Sequence, residues 1–324
     1  MKLVFYVAAA LFVALLASPA LAQSFPVTIK HALGETVIPA APQRIVTLGW
    51  SSTDAAIALG TVPVGFPSFR SAGFDKDIVP WVEEGIAKAG APTPVTFDDT
   101  AGAPIEKIAA LKPDLILAVY SGITEDEYKL LSQIAPVVAY PDKPWTATWQ
   151  QVISIAGEAM GKPAEATALV AELEAFIKAE AAKYPALAGK SAVTLLDYNG
   201  AAAIHSADDA RAKLLALAGL VIPERSPAGG ELQGFWYPLS YENFDQIPAD
   251  ILIGFFNSPD LADEFFARPY IDSAPQVKSG AYVKMDDRIL NMSVISSSAL
   301  SIRWGMPRYF EKIAAAAEKV GKQR

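Results

Sequence analysis

The chain has 324 residues, 35 acidic against 27 basic side chains, a formal net charge of −8, two histidines and no cysteine. That length accommodates one large domain or two lobes. The acidic balance argues against a nucleic-acid partner, whose binders concentrate Lys and Arg, and the lack of thiols excludes disulfides and thiolate metal sites.

The chain opens "MKLVFYVAAALFVALLASPALAQS": Lys2, an apolar run through Leu16, then Ala20-Leu21-Ala22 in the small-x-small pattern of signal peptidase. This reads as a secretory signal peptide over residues 1–22, with the mature chain starting at Gln23. A membrane anchor is the rival, but the run is short and ends in a cleavage pattern instead of basic residues. Lipoprotein processing needs a cysteine at the cleavage site, so a free periplasmic protein is expected. No later segment approaches the ~20 uninterrupted apolar residues that span a bilayer.

Residues 44 to 60, "RIVTLGWSSTDAAIALG", run four β-prone residues into Gly49, Trp50 and the hydroxyls Ser51, Ser52 and Thr53, ahead of an alanine-rich helical stretch. A serine at a strand-turn-helix is where an α/β-hydrolase keeps its nucleophile; it is also where an open α/β sheet holds a ligand without chemistry. "TVPVGF", "DLILAVY" and "APVVAY" continue the alternation of short apolar runs with helical segments, the pattern of a largely parallel, covered sheet. "TWQQVISIAGEAMG" reads as one helix. Gly161-Lys162-Pro163 breaks it, and Pro163 suits the first position of a second, long helix, "PAEATALVAELEAFIKAEAAKY". The alternation resumes in "SAVTLLDY", "AAAIHS", "ADILIGFF" and "GAYVKM".

The halves resemble each other. Residues 106–121, "EKIAALKPDLILAVYS", match residues 242–257, "ENFDQIPADILIGFFN", at one constant offset. Glu106 falls on Glu242, Ile108 on Phe244, Asp114 on Asp250 and Tyr120 on Phe256. A looser match sets residues 45–60 beside "AVTLLDYNG" and its following helix, "DDARAKLLALAG". Duplication explains a shared Glu, Asp and aromatic without a gap better than chance does. The expected fold is α/β: two Rossmann-like lobes with central sheets, joined by one long rigid helix. The N-terminal lobe would cover 23–160, the linking helix 161–186 and the C-terminal lobe 187–324. Ligands of such sheets sit beyond the carboxyl ends of the strands, so two facing lobes would make a cleft lined by aromatics.

In the order and spacing of "VTIKHALGETVIPAAPQRIVTLGW", "IEKIAALKPDLILAVYSGITEDEYKLLSQIAPVVAY" and "ALSIRWGMPRYFEKIAAAAEK", the chain resembles the periplasmic substrate-binding proteins of ABC importers for iron-siderophores. The likeness covers essentially all of the mature chain. It implies a monomer that is not an enzyme, captures a ferric siderophore between its lobes and delivers it to an inner-membrane permease and, through that, its ATPase. It implies no resident cofactor, because iron arrives already wrapped in a chelator. The wider group includes haem and vitamin B12 binders, which leaves those ligands as the alternative.

Trp50, Tyr120 and Tyr198 are candidate ligand contacts by their strand ends, with the hydrophobic core as the other place for Trp50 and Tyr198. Trp236, in the glycine-flanked "GGELQGFWYPLS", reads as an exposed loop aromatic, a type that suggests binding. The resemblance adds Arg70, Arg211 and Arg303, each near a family ligand position and each with an ordinary surface role as its alternative. It also implies that Glu106 and Glu242, one per lobe, meet arginines of the permease. Some catecholate binders carry an arginine where this chain has Tyr120-Ser121, which argues against a highly charged ligand.

A hydrolase would need Ser51 as nucleophile, but Thr53 replaces the glycine of the G-x-S-x-G elbow and only His31 and His205 could serve as base. Direct zinc or manganese binding needs a histidine cluster that two histidines cannot make. The Asp pairs at 98–99, 208–209 and 286–287 fit helix caps and solvated loops better. Trp50 and the three hydroxyls therefore read as a binding loop, with one hydroxyl capping the helix.

Overall fold

The computed structural model of the protein describes residues 24–321. The expected signal peptide lies outside the described residues. An antiparallel hairpin of β1 (Val27–His31) and β2 (Gly34–Ile38) leads into two five-stranded sheets. The first contains β3 (Ile45–Thr47), β4 (Gly65–Pro67), β5 (Val95–Phe97), β6 (Leu115–Leu117) and β7 (Val137–Val138), all parallel, in the order β5-β4-β3-β6-β7. Its central strands β3 and β6 are buried on both faces, which is why they read as unbroken apolar runs.

The second contains β8 (Ala192–Tyr198), β9 (Ala201–His205), β10 (Trp236–Leu239), β11 (Ile251–Phe255) and β12 (Tyr282–Met285), in the order β10-β9-β8-β11-β12. The spatial order repeats that of the first sheet, strand for strand. Its directions do not: β9 and β10 run antiparallel to their neighbours, so this sheet is mixed. The cause is the two-residue turn Asn199-Gly200, both at positive φ (50° and 79°), which folds β8 straight back into β9. Asn-Gly is the strongest short hairpin signal, because both central residues of that turn need the left-handed region. β10 corrects the expectation that Trp236 lies in a loop, since it belongs to an edge strand paired with β9.

The repeat has a structural counterpart at its aspartates. Asp114, just before β6, accepts hydrogen bonds from the backbone N–H groups of Gln43 and Arg44 (both 2.8 Å), which lead into β3. Asp250, just before β11, accepts from the N–H and hydroxyl of Ser191 (2.8 and 2.9 Å), which leads into β8. Each carboxylate ties the starts of the two central strands of its own sheet, and Ile108 and Phe244 are both fully buried beneath.

Between the sheets runs the helix Pro163–Ala182, with proline in its first turn as expected. Its twenty residues span about 30 Å at 1.5 Å per residue. Ala166, Leu173, Ile177 and Ala181 form its buried stripe, and it packs on the helices Trp149–Ala159 and Ser301–Ala317. The helix Arg288–Ile295, after the second sheet, reaches back to the first lobe, where Met292 joins Phe66, Phe69 and Trp81 in one cluster. Among the described residues no helix is long and apolar enough to cross a membrane.

Candidate functional site

The first sheet runs outward from β3 through β4 to β5 and returns to β6 beside β3. That reversal opens a crevice at the carboxyl ends of β3 and β6. Trp50 starts the helix Trp50–Ala58 just after β3, and Tyr120 follows β6. Between them Gly49 holds φ 73° and ψ 170°, a region open essentially to glycine alone, and a Cβ there would lie 1.8 Å from the Tyr120 carbonyl oxygen. Gly49→Ala is therefore expected to destabilise the protein by more than about 3 kcal/mol, with both the backbone strain and the clash contributing. Thermal denaturation checks this, and an unchanged melting temperature would contradict it.

No hydroxyl caps this helix, contrary to expectation. Gly49 occupies the cap position, Thr53 meets Thr47 (2.7 Å between hydroxyls), and Ser52 accepts from the Tyr120 N–H (3.4 Å). The hydroxyls brace the crevice from inside. The expected aspartate caps do occur: Asp209 caps the helix Ala210–Leu217 and Asp287 caps Arg288–Ile295.

Trp145, in the loop after β7, completes the first wall. Its ring centroid lies 6.0 Å from Trp50 and 5.6 Å from Tyr120, and its indole covers Gly122. It is 47% exposed and sits at φ 62°, a left-handed conformation uncommon for a bulky residue and of the kind that gathers at ligand sites. The sequence reading missed it. Its signal was the aromatic spacing in "PWTATW", a tryptophan in a short loop four residues before the one that opens the next helix.

Two neighbouring hollows lie between this wall and the second lobe. One, of about 730 Å³, is lined by Tyr120, Trp145 and Trp149 on one side and Asp209, Arg211 and Phe235 on the other. The second, of about 430 Å³, is lined by Trp50, Phe74, Phe255, Asn257 and Arg288 among others. Arg211 and Ile295 line both. Arg211 lies over the Phe255 ring (5.6 Å) and makes a two-pronged ion pair with Asp209, Nε to Oδ1 and an Nη to Oδ2, each 2.8 Å. Burial pushes the Asp209 carboxyl up, but the bonds and charge of Arg211 outweigh it and hold the group below the usual carboxylate range.

The sequence-derived candidates divide. Trp50, Tyr120 and Arg211 meet at these hollows. Tyr198 and Trp236 do not line them; they stack edge to face on each other (5.4 Å) at the end of the β8–β9–β10 ribbon. Phe235, immediately before β10, lines the larger hollow instead. Arg70 is exposed, lines neither hollow and pairs with Asp77 (3.4 Å). Arg303 faces the long helix Pro163–Ala182, bound to Glu172 (2.7 Å) and stacked over Phe176 (5.4 Å). Glu106 and Glu242 are exposed in the first turns of Ile105–Ala110 and Tyr241–Gln246, away from both hollows.

Ser51 is 3% exposed and hydrogen-bonds neither histidine. His31 Nε2 is occupied by Thr36 (2.9 Å), and His205 ends β9 in the second lobe, where burial and then Arg211 lower it to about 4. No nucleophile and base meet here. Among the described residues no group of three His, Cys, Asp or Glu could hold a metal ion.

Residues 45–288 match the family model of periplasmic binding proteins. The chain is 27% identical over 278 residues to the probable siderophore-binding lipoprotein YfiY of Bacillus subtilis, covering 80% of each chain. It is 27% identical over 291 residues to the ferric-anguibactin-binding protein FatB of Vibrio anguillarum, covering 86% of this chain and 85% of that one. Among solved structures it is similar to PiaA of Streptococcus pneumoniae in complex with ferrichrome, with 32% identity, a TM-score of 0.79, and coverage of 91% of this chain and 99% of that one. The protein belongs to the periplasmic binding protein family. It is a substrate-binding protein and not an enzyme, which removes the hydrolase reading.

Proposed function

We infer that this protein captures a ferric siderophore between its lobes and delivers it to an ABC permease for iron uptake. The observation that carries this is the aromatic wall of Trp50, Tyr120 and Trp145, set at the carboxyl ends of three strands and facing Arg211 across a hollow of about 730 Å³. Flat aromatic faces supply contact area at low entropic cost, and a guanidinium supplies a fixed fork for chelate oxygens. The relatives named for siderophore and ferric-anguibactin binding, and the ferrichrome complex of PiaA, support the same ligand class. Iron is cargo, already chelated, so no resident cofactor is needed.

The finer parts of the reading rest on the sequence. Residues 1–22 direct export and are removed, and the absence of cysteine leaves no site for the lipid anchor that YfiY's name describes. The mature chain acts as a monomer in the periplasm, with lobes over 23–160 and 187–324 joined through 161–186. Glu106 and Glu242 form the docking pair for the permease and, through it, the ATPase.

Tryptophan fluorescence of the purified protein tests the ligand class. Titration with ferrichrome, ferric citrate, a ferric tris-catecholate, haem and cobalamin should give at least one ferric siderophore a dissociation constant below ~1 µM. Trp145→Ala should weaken that complex by about tenfold or more, as loss of an aromatic anchor does. Tight binding of haem or cobalamin alone would overturn the ligand class.

A further inference from the structure

We propose that Asp209 determines which ferric complexes the cleft accepts: by neutralising Arg211 at its centre, it favours complexes of zero net charge over anionic ones. This rests on the cleft being the siderophore site. The residues lining the two hollows carry three carboxylates (Asp197, Asp208, Asp209) and three cations (Arg211, Lys213, Arg288). They are not equivalent. Lys213 and Arg288 are exposed, so water screens them. Arg211 is the least exposed of the three cations, its side chain 14% exposed, and the one charged residue that lines both hollows.

An arginine in that position would ordinarily attract an anionic ligand. Here two of its five N–H donors and its charge are engaged by Asp209, whose side chain is 8% exposed. The pair is rigid, because the same aspartate caps its helix through the Arg211 N–H (2.8 Å) and the guanidinium rests on Phe255. His205 beside it is held neutral at pH 7 and adds no compensating charge. The deep part of the cleft is thus electrically balanced and walled by aromatic rings. Iron(III) bound by three hydroxamates is neutral, whereas three catecholates leave three negative charges, which would meet the Asp209 carboxylate with Arg211 already paired and only the solvent-screened Lys213 and Arg288 to offset it.

Asp209→Asn tests this without removing the helix cap, since asparagine caps as well as aspartate. Wild type, Asp209→Asn and Asp209→Asn with Arg211→Gln are titrated with ferrichrome as the neutral complex and with ferric citrate and a ferric tris-catecholate as the anionic ones. Wild type should prefer ferrichrome. Asp209→Asn should gain about tenfold or more for the anionic complexes, the scale of one unmasked charge at short range in a partly buried site, and less than about threefold for ferrichrome. High salt should shrink the gain, and the added Arg211→Gln should abolish it. Asp209→Ser, which also caps, repeats the test should the asparagine variant misfold. Binding of ferric complexes by wild type with selectivity unchanged in the folded Asp209 variants overturns this inference alone. Binding of no ferric complex by wild type overturns the siderophore reading and this inference with it.

Discussion

Asp54→Asn is expected to be more stable than the wild-type protein at pH 8 by on the order of 4 kcal/mol, and nearly equal to it at pH 4. Asp54 lies one turn into the helix behind Trp50, 2% exposed, and reaches across to the second half of the chain. The Ser298 hydroxyl donates to its Oδ2, while Oδ1 has no hydrogen-bond partner among the described residues. Burial raises its carboxyl to about 7, against the lowering effect of the Ser298 hydrogen bond and of the nearby Trp81 indole. Between the ordinary value of 3.8 and about 7, the folded state keeps a proton that the unfolded chain has released. Raising the pH through that window therefore favours unfolding, and the loss is complete above it. Asparagine keeps an acceptor for Ser298 and never charges. Urea denaturation of both proteins at pH 4, 6 and 8 checks this; parallel stability profiles would show that Asp54 does not titrate in this window.

The double variant Glu106→Ala with Glu242→Ala is expected to bind its ferric ligand with wild-type affinity and yet abolish most uptake in cells. The glutamates occupy equivalent positions, each in the first turn of the short helix that leads to the aspartate and central strand of its own sheet. Both are exposed and neither lines the hollows. Charge-assisted hydrogen bonds are worth about 1.5–3 kcal/mol each, so losing one per lobe at a docking face should weaken it by two orders of magnitude or more. Trp145→Ala should show the reverse, weak ligand binding with normal docking. Uptake and ligand titration at matched expression separate the two. Normal uptake by the double variant would defeat the docking role, and impaired ligand affinity would place the glutamates at the cleft.

Much of the architecture was legible because burial on both sides of a central strand leaves a continuous apolar run, and a proline after a glycine marks a helix start. β3, β6, β8 and β11 and the start of the long helix at Pro163 all carry such marks. The gap-free repeat of Glu, Asp and aromatic was legible for the same reason, since each aspartate performs one local task at the head of a strand. The edge strands β5 and β10 were missed: they are short, partly exposed and weakly patterned.

The site divided along a different line. Trp50 and Tyr120 follow directly from strands, so the rule that ligands gather at carboxyl ends put them at the crevice, where the structure has them. Trp236 lies off the hollows while its neighbour Phe235 lines one, because the pairing of β10 with β9, with Trp236 opposite His205, fixes which way each side chain turns. Arg303 failed because an arginine on a helix shows nothing in sequence about which neighbour its face meets; packing turned it to Glu172 and Phe176. Sequence by itself determined the α/β alternation, the repeat, the long helix and the strand ends that carry aromatics, because these depend on local periodicity and on contacts near in the chain. Tertiary structure alone decided that Trp145 closes the wall, that Asp209 spends the charge of Arg211, and that Asp54 lies buried against Ser298, because charge balance and burial depend on which distant segments the folded chain brings together.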